Sequence, residues 1–233
     1  FSGIGNPESF ITFLKKNRLT LKNYHIKKNN GESVLVRNIY CIGRNYSEHI
    51  KELNNVKPKE PFFFQKSLPA LNTTNKIYLS QNKDIQYEVE IVLLVGKSGI
   101  STSIKDALSF IGGYTVGIDL TKRNYQNQLK EDKLPWLLSK SFLGSAVVSE
   151  FSNEPIKEDF WLNLNDEKKQ KGNSNQMISS FAEQINFLSN KIPLIEGDLI
   201  FTGTPEGVGP LKVGDKIEIG FGDSTLNTLS VLD

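Results

Sequence analysis

A chain of 233 residues with 38% hydrophobic and 23% charged residues has the composition of a folded protein and the length for one large domain with a short appended segment. Its net charge of +2 recommends neither nucleic acid nor membrane as a partner, and its longest strongly apolar run, Ile91–Val95, is strand-sized, far short of the ~20 residues a bilayer span needs. One cysteine, Cys41, excludes a disulfide framework and a cysteine zinc site and favours a reducing compartment; two histidines, His25 and His49, leave any metal to oxygen ligands, hence to Mg²⁺, Mn²⁺ or Ca²⁺.

Residues 1–33 stand apart. Lys15, Lys16, Arg18, Lys22, Lys27 and Lys28 are interleaved with asparagines, and Glu8 is the only acid before Glu32. This reads as a peripheral N-terminal extension with solvated charge, a targeting remnant being the minor alternative, and Ser9–Leu14 suits a short helix. The chain begins at Phe1 and its single methionine is Met177, so a truncated or processed form is expected, with a removed leader left open.

The main domain is set at residues 34–233. Val34–Gly43 is β-branched and ends in glycine, a strand signature. Asn45, with Glu48 three residues on, has the form of a helix N-cap with a capping box, the helix running to about Leu53. Pro58 and Pro61 mark a loop before an apolar strand, Phe62–Gln65. Tyr87–Val95 alternates and then turns fully apolar, as a strand with one polar and one buried end does. Ser103 and Asp106 suggest a capped helix to about Phe110. Gly112–Leu120 is a further strand, followed by a helix from Thr121 to about Glu131 that Pro135 terminates. Lys140 lies in LLSKSF, a strand-like apolar run. A hairpin is expected around Asn165-Asp166, a helix from the Ser180/Glu183 cap through Leu188, and late strands at Asp198–Thr202 and Lys216–Phe221. Strands outnumber helices without regular alternation, which favours an α+β domain with antiparallel or mixed sheets over a doubly wound fold.

Chemistry concentrates at few positions. Glu88 and Glu90 lie two apart on a strand and so share a face; beside a core, such a pair is costly without a cation between them. The alternative is an exposed face paired with lysines. Asp119, at the polar end of a neighbouring apolar strand, completes a hard-oxygen set that suits Mg²⁺ and leaves positions for a chelating substrate such as a 2-oxo acid. His49 and Glu52 lie three apart on the proposed helix, where a carboxylate orients an imidazole as a general base or forms an ordinary surface pair. Lys140 is either a snorkelling strand lysine or a cation for an anionic substrate. There is no G-x-S-x-G elbow, and Gly203–Gly209 lacks the lysine of a phosphate loop, so it reads as a tight turn with free backbone amides. Cys41 reads as a small buried hydrophobe.

Six stretches in order, IYCIGRNYSEHIKEL (39–53), KEPFFFQK (59–66), YEVEIVLLVGK (87–97), FIGGYTVGIDLTKRN (110–124), LPWLLSKSF (134–142) and GDLIFTGTPEGVGPLKVGD (197–215), resemble the fumarylacetoacetate hydrolase superfamily, especially its acylpyruvate hydrolase and oxaloacetate decarboxylase branch. The resemblance implies a single catalytic domain folded as a mixed β-sandwich or roll with peripheral helices. It implies Glu88, Glu90 and Asp119 as ligands of Mg²⁺, with Mn²⁺ possible, and a His49–Glu52 dyad on a lid helix. Lys140 falls on the family's site lysine, Lys66, Arg123, Gln126 and Thr204 on substrate-side positions, and Arg44 and Asn45 on a structural stretch. The implied activity is Mg²⁺-dependent C–C cleavage of a small 2-oxo acid, by acylpyruvate hydrolysis or oxaloacetate decarboxylation, the metal taking up enolate charge. Keto–enol tautomerase or diene-dioate isomerase activity, and a catalytically silent metabolite binder, are the alternatives. A homodimer in cytoplasm or mitochondrion, with no nucleic-acid or membrane partner, is implied as well. Tyr87 in place of a histidine, Asn124, Ser139 and Ser67 depart from the family pattern and bear on substrate preference rather than on the metal.

Overall fold

The computed structural model describes residues 24–79 and 84–233; the helix expected at Ser9–Leu14 lies outside the described residues. A hairpin of β1 (His25–Lys27) and β2 (Ser33–Leu35) opens the described chain and straddles the boundary drawn at residue 33. Ile26 is buried in the core with Val36, Ile39 and Phe151, so residues 24–33 pack onto the main fold.

The central sheet has seven strands: β3 (Ile39–Gly43), β4 (Phe62–Lys66), β5 (Leu71–Asn72), β8 (Val89–Val95), β9 (Ile111–Asp119), β11 (Ala146–Val148) and β14 (Leu199–Phe201). Their spatial order is β4-β3-β14-β8-β9-β11-β5, with parallel pairs at β3/β14 and β5/β11 and antiparallel pairs elsewhere. Five more strands form a second sheet: β6 (Lys76–Tyr78), β12 (Phe160–Leu164), β13 (Glu167–Gly172), β16 (Lys216–Phe221) and β17 (Ser224–Leu232). Short β7 (Ile85–Tyr87), β10 (Thr121–Lys122) and β15 (Gly209–Pro210) make a third, three-stranded sheet. This is the mixed-sheet α+β architecture expected from the sequence.

The apolar run of β8 is explained by its place. Ile91, Leu93 and Val95 join the larger core with Phe160, Ile217 and Ile219 of the second sheet, while Val92 and Leu94 join the smaller one with Cys41, Val148 and Phe201. A strand buried on both faces has no position for a polar residue until its end, and there Glu88 and Glu90 stand.

The described helices are peripheral and short: α1 (Ser47–Glu52), α2 (Ile104–Ala107), α3 (Arg123–Glu131), α4 (Leu137–Lys140) and α5 (Phe181–Ser189). α5 carries the capping box expected at Ser180 and Glu183, and Ser103 caps α2. The Asn165-Asp166 hairpin turn has φ of 52° and 65°, the left-handed pair that a two-residue turn between twisted strands requires. No described helix is long and apolar enough to cross a membrane.

Four expectations are corrected. Asn45 does not cap α1, whose N-cap is Tyr46; its amide instead donates to Thr202 O (2.8 Å) and Ser179 O (3.0 Å) and accepts from Ser179 N (2.8 Å), joining three distant segments. The strand read across Val34–Gly43 is two strands, and the one read across Tyr87–Val95 breaks at Glu88. Lys140 closes a helical turn rather than lying in a strand.

Candidate metal centre

β8 and β9 run antiparallel with Glu90 opposite Gly117, and the Asp119 N–H donates to Glu88 O across 2.8 Å, so the ladder places Glu88, Glu90 and Asp119 on one face. Gly117 has no room for a side chain, since a Cβ there would meet Val147 O at 2.4 Å. The three carboxylates are buried, and one oxygen from each lies within 4.8 Å of the others.

Cations surround this cluster from beneath and beside. Lys140 Nζ donates to Glu88 Oε2 (2.8 Å), Asp119 Oδ2 (2.7 Å) and Thr121 Oγ1 (2.7 Å), which uses all three of its N–H groups. Arg123 Nη2 donates to Glu88 Oε1, Nη1 to Gln126 Oε1 (2.7 Å) and Nε to Gln86 Oε1 (2.9 Å). Lys66 lies 2.7 Å from Asp119 Oδ1.

Glu90 has none of these partners. Its Oε2 accepts only the backbone N–H of Gly203 at 2.7 Å. Gly203 holds φ at +99° and approaches Asn45 so closely that a Cβ would fall 2.7 Å from that side chain. Burial, with Asp119 and Glu88 alongside, pushes the Glu90 carboxyl well up. Burial also pulls Glu88 upward, but Lys140 and Arg123 outweigh it and hold that carboxyl well below the usual range. The residues fit a hard divalent ion. The donor set is all oxygen, one member is uncompensated by protein cations, and Asp119 Oδ1 is buried without a well-directed hydrogen bond.

A pH dependence follows. Metal and proton compete for Glu90, so Mg²⁺ uptake releases a proton and tightens as pH rises towards the raised value. In the metal-free protein the sign for stability is opposite. The unfolded chain loses this proton near the ordinary glutamate value while the folded chain keeps it, so stability falls as pH rises between the two values. Mg²⁺ calorimetry in two buffers of different ionisation heat is expected to count about one proton released in that interval; a count of zero contradicts the assignment.

Above the carboxylates lies a narrow cavity of ≈ 30 Å³ whose lining includes Glu88, Glu90, His49, Arg123, Gln126 and Thr204. His49 Nδ1 pairs with Glu52 Oε2 at 3.0 Å, as the three-residue spacing implied, and Glu52 Oε1 accepts from Gly207 N at 2.9 Å, tying α1 to the Thr202–Gly209 turn. Burial raises the Glu52 carboxyl, but the bonds from His49 and Gly207 prevail and hold it low. With an ionised Glu52 accepting a hydrogen bond from Nδ1–H, Nε2 is the basic nitrogen.

Lys66 is placed differently from the substrate-side position expected. It is outside the cavity lining and fully buried, donating to Leu120 O, Ser145 O and Ser145 Oγ, each at 3.1 Å, and to Lys140 O. Lys140 lines the cavity, but with its donors spent it positions Glu88 and Asp119. Tyr87 also misses the cavity: it is buried in the larger core against Gly209, with its hydroxyl pushed up to about 12 by burial, so its exchange for histidine does not alter the lining.

No local pattern marks Gln170 of β13. Its amide donates to Thr204 Oγ1 (2.9 Å) and Pro205 O (2.9 Å) and accepts from Val89 N (2.8 Å), bracing the site turn against the strand that carries Glu90. Thr121, Lys130 and Trp136 were likewise unmarked, and Arg44 lines the cavity although a structural role was expected of it.

The sequence profile of the family described as fumarylacetoacetate (FAA) hydrolase C-terminal matches residues 38–230. An oxaloacetate decarboxylase, mitochondrial, of Dictyostelium discoideum is 40% identical over 192 residues, covering 79% of this chain and 88% of its own. An oxaloacetate tautomerase, mitochondrial, of Mus musculus is 39% identical over 191 residues, covering 79% and 86%. A crystal structure of fumarylpyruvate hydrolase from Pseudomonas aeruginosa in complex with Mn²⁺ and pyruvate superposes with a TM-score of 0.85 at 31% identity, covering 91% of this chain and 97% of that one.

Proposed function

This chain belongs to the fumarylacetoacetate hydrolase family, and from that premise we propose that it is a Mg²⁺- or Mn²⁺-dependent enzyme that cleaves a C–C bond in a small 2-oxo acid. The observation that carries the reading is the buried Glu88, Glu90 and Asp119 triad, of which Glu88 and Glu90 line a cavity together with His49 and Arg123. Those three carboxylates would hold the ion, which when bound supplies Lewis-acid stabilisation to negative charge on substrate oxygens.

The remaining chemistry belongs to the chain. Arg123 has five N–H donors and spends three on Gln86, Gln126 and Glu88, which leaves two for a substrate carboxylate. Thr204 accepts from Gln170 and keeps its own hydroxyl proton to donate. Gln126 accepts from Arg123 through Oε1 and keeps its amide N–H groups. In acylpyruvate hydrolysis, His49 Nε2 takes a proton from water, whose oxygen attacks the distal carbonyl. The C–C electron pair then passes to the departing pyruvate unit, which takes up a proton. In oxaloacetate decarboxylation CO₂ departs instead and no attacking water is needed.

The test is incubation with oxaloacetate and with acetylpyruvate, in Mg²⁺ or in EDTA, with pyruvate as the readout. Mg²⁺-dependent pyruvate is expected. His49→Ala should lower acetylpyruvate hydrolysis by roughly 10²- to 10⁴-fold, the usual yield of general-base catalysis, and oxaloacetate decarboxylation by far less; equal losses would remove His49 from the base role.

The mouse relative's name favours a second reading, keto–enol tautomerisation of oxaloacetate, with the His49–Glu52 dyad moving the proton. It yields no pyruvate but speeds decay of the enol absorbance. Exposed Leu134, Leu137, Leu138 and Leu143 support the homodimer expected of the family, and the relatives' mitochondrial names support that compartment over the cytoplasm.

A further inference from the structure

Two parts of the site are joined by a residue that belongs to neither. The β7–β8 segment carries Glu88 and Glu90, the turn after β14 carries Gly203 and Thr204, and Gln170 of β13 is bonded to both. β14 pairs with β8 only as far as Phe201, opposite Val92, and the Val89 N–H beyond that end is taken by Gln170 Oε1 at 2.8 Å. Val89 stands between the two glutamates, so this amide holds the backbone link that joins them. On its other side Gln170 Nε2 donates to Thr204 Oγ1 and Pro205 O, each at 2.9 Å, with Glu206 O at 3.5 Å. Gln170 is fully enclosed, with 1% of its surface exposed.

The fold places this amide deliberately. β13 is an edge strand, and its register against β12 shifts between Leu162 and Asn163, which pair with Gln170 and Lys168 and leave Lys169 over as a bulge. A bulge re-aims the side chains beside it. Two residues on, the strand comes so close to the turn that a Cβ on Gly172 would fall 2.9 Å from Pro205 Cγ. The direction of each bond is then set by its partner. A backbone N–H only donates, so the atom facing Val89 is the amide oxygen; a peptide carbonyl only accepts, so the atom facing Pro205 is the nitrogen. The amide has one orientation, and in it Thr204 Oγ1 receives an N–H. A hydroxyl that accepts on one side keeps its single proton for another partner, and Thr204 lines the cavity with Glu88, Glu90 and Arg123.

We propose that Gln170 is a positioning residue for the reaction: it fixes the polarity of Thr204, so that this hydroxyl meets an anionic substrate oxygen as a donor. The inference rests on the 2-oxo acid reading above and adds to it the residue that sets how the turn addresses the substrate's charge. Without this partner the hydroxyl is free to give its proton to a protein oxygen and to turn its lone pairs towards the anion.

The test is a double-mutant cycle, read by calorimetry of oxalate, a small uncleavable dianion, on the Mg²⁺-saturated protein. Gln170→Met should weaken oxalate binding roughly 3- to 10-fold, the scale of one hydrogen bond, and Thr204→Val at least as much. In the Thr204→Val background Gln170→Met should cost nothing further, because its effect runs through the hydroxyl. The full loss repeated in that background marks a general disturbance of the fold and overturns the proposal. Unchanged affinity in Gln170→Met, or a wild-type protein that does not bind oxalate, overturns it as well. Gln170→Glu, closer in shape, carries the same cycle should the methionine variant fail to fold. Pyruvate release from oxaloacetate is measured in parallel. Pyruvate without coupling between the two residues removes Gln170 alone; coupling without pyruvate upholds Gln170 and sinks the cleavage reading.

Discussion

Glu90→Gln is expected to lower Mg²⁺-dependent pyruvate release at least ~10³-fold, about 4 kcal/mol of transition-state stabilisation, while leaving the metal-free protein as stable as before or more so. The two effects have one origin. Glu88 and Asp119 already pair with Lys140, Arg123 and Lys66, whereas Glu90 accepts only the Gly203 N–H, and the pull of Lys140 on it is outweighed by burial and the two other carboxylates. The charge of Glu90 is therefore a burden to the empty site and the main attraction for a divalent ion. Glutamine keeps the bond from Gly203 and the volume but removes the charge. In the wild type, Mg²⁺ at ~100 Kd adds about 2.7 kcal/mol, which for a chain of this size raises Tm by roughly 5–11 °C. The variant should show little of that shift. Thermal scans with and without Mg²⁺, beside the pyruvate assay, decide the matter: full activity, or an undiminished Mg²⁺ shift, removes Glu90 from the ligand set.

Local chemistry made part of this molecule legible in advance. The Ser180/Glu183 box, the Asn165-Asp166 turn and the apolar run of β8 each express a rule that acts within a few residues. Asn45 obeyed the same local pattern and misled, because Thr202 and Ser179, more than a hundred residues away, offered its amide stronger partners than the helix end did. The short helix at Lys140 looked extended because its flanks are apolar, and four residues hold no helical period to read. β17 breaks the period of two with polar pairs at Ser224-Thr225 and Asn227-Thr228, and was not recognised. At the site, the carboxylate triad was visible because i and i+2 on a strand share a face. The cluster of Arg44 and Lys130 on Trp136 was not. Arg44 and Lys130 come from a loop and a helix whose meeting on Trp136 is a tertiary event.

Lys66 is where position in the fold most changes the expected phenotype. A lysine at the substrate side would, on replacement, raise KM and leave stability alone. The lysine seen here is fully buried, its three N–H groups shared among four backbone and serine oxygens at the junction of β9, α4 and the 141–145 turn, and with Asp119 Oδ1 at 2.7 Å. Replacing it with methionine preserves length and fills the space, but strands the Asp119 oxygen and withdraws those hydrogen bonds. Breaking a buried pair from one side costs roughly 3–5 kcal/mol, so Lys66→Met should lower Tm by roughly 6–20 °C and move the urea midpoint by the matching amount. Lost orientation of Asp119 should weaken Mg²⁺ binding as well, since a ligand that is no longer braced holds its metal less well. A variant with wild-type urea midpoint and a raised KM would return Lys66 to the substrate. A destabilised variant whose remaining folded fraction needs more Mg²⁺ for half-maximal activity would place it beneath the metal ligand, as its hydrogen bonds indicate.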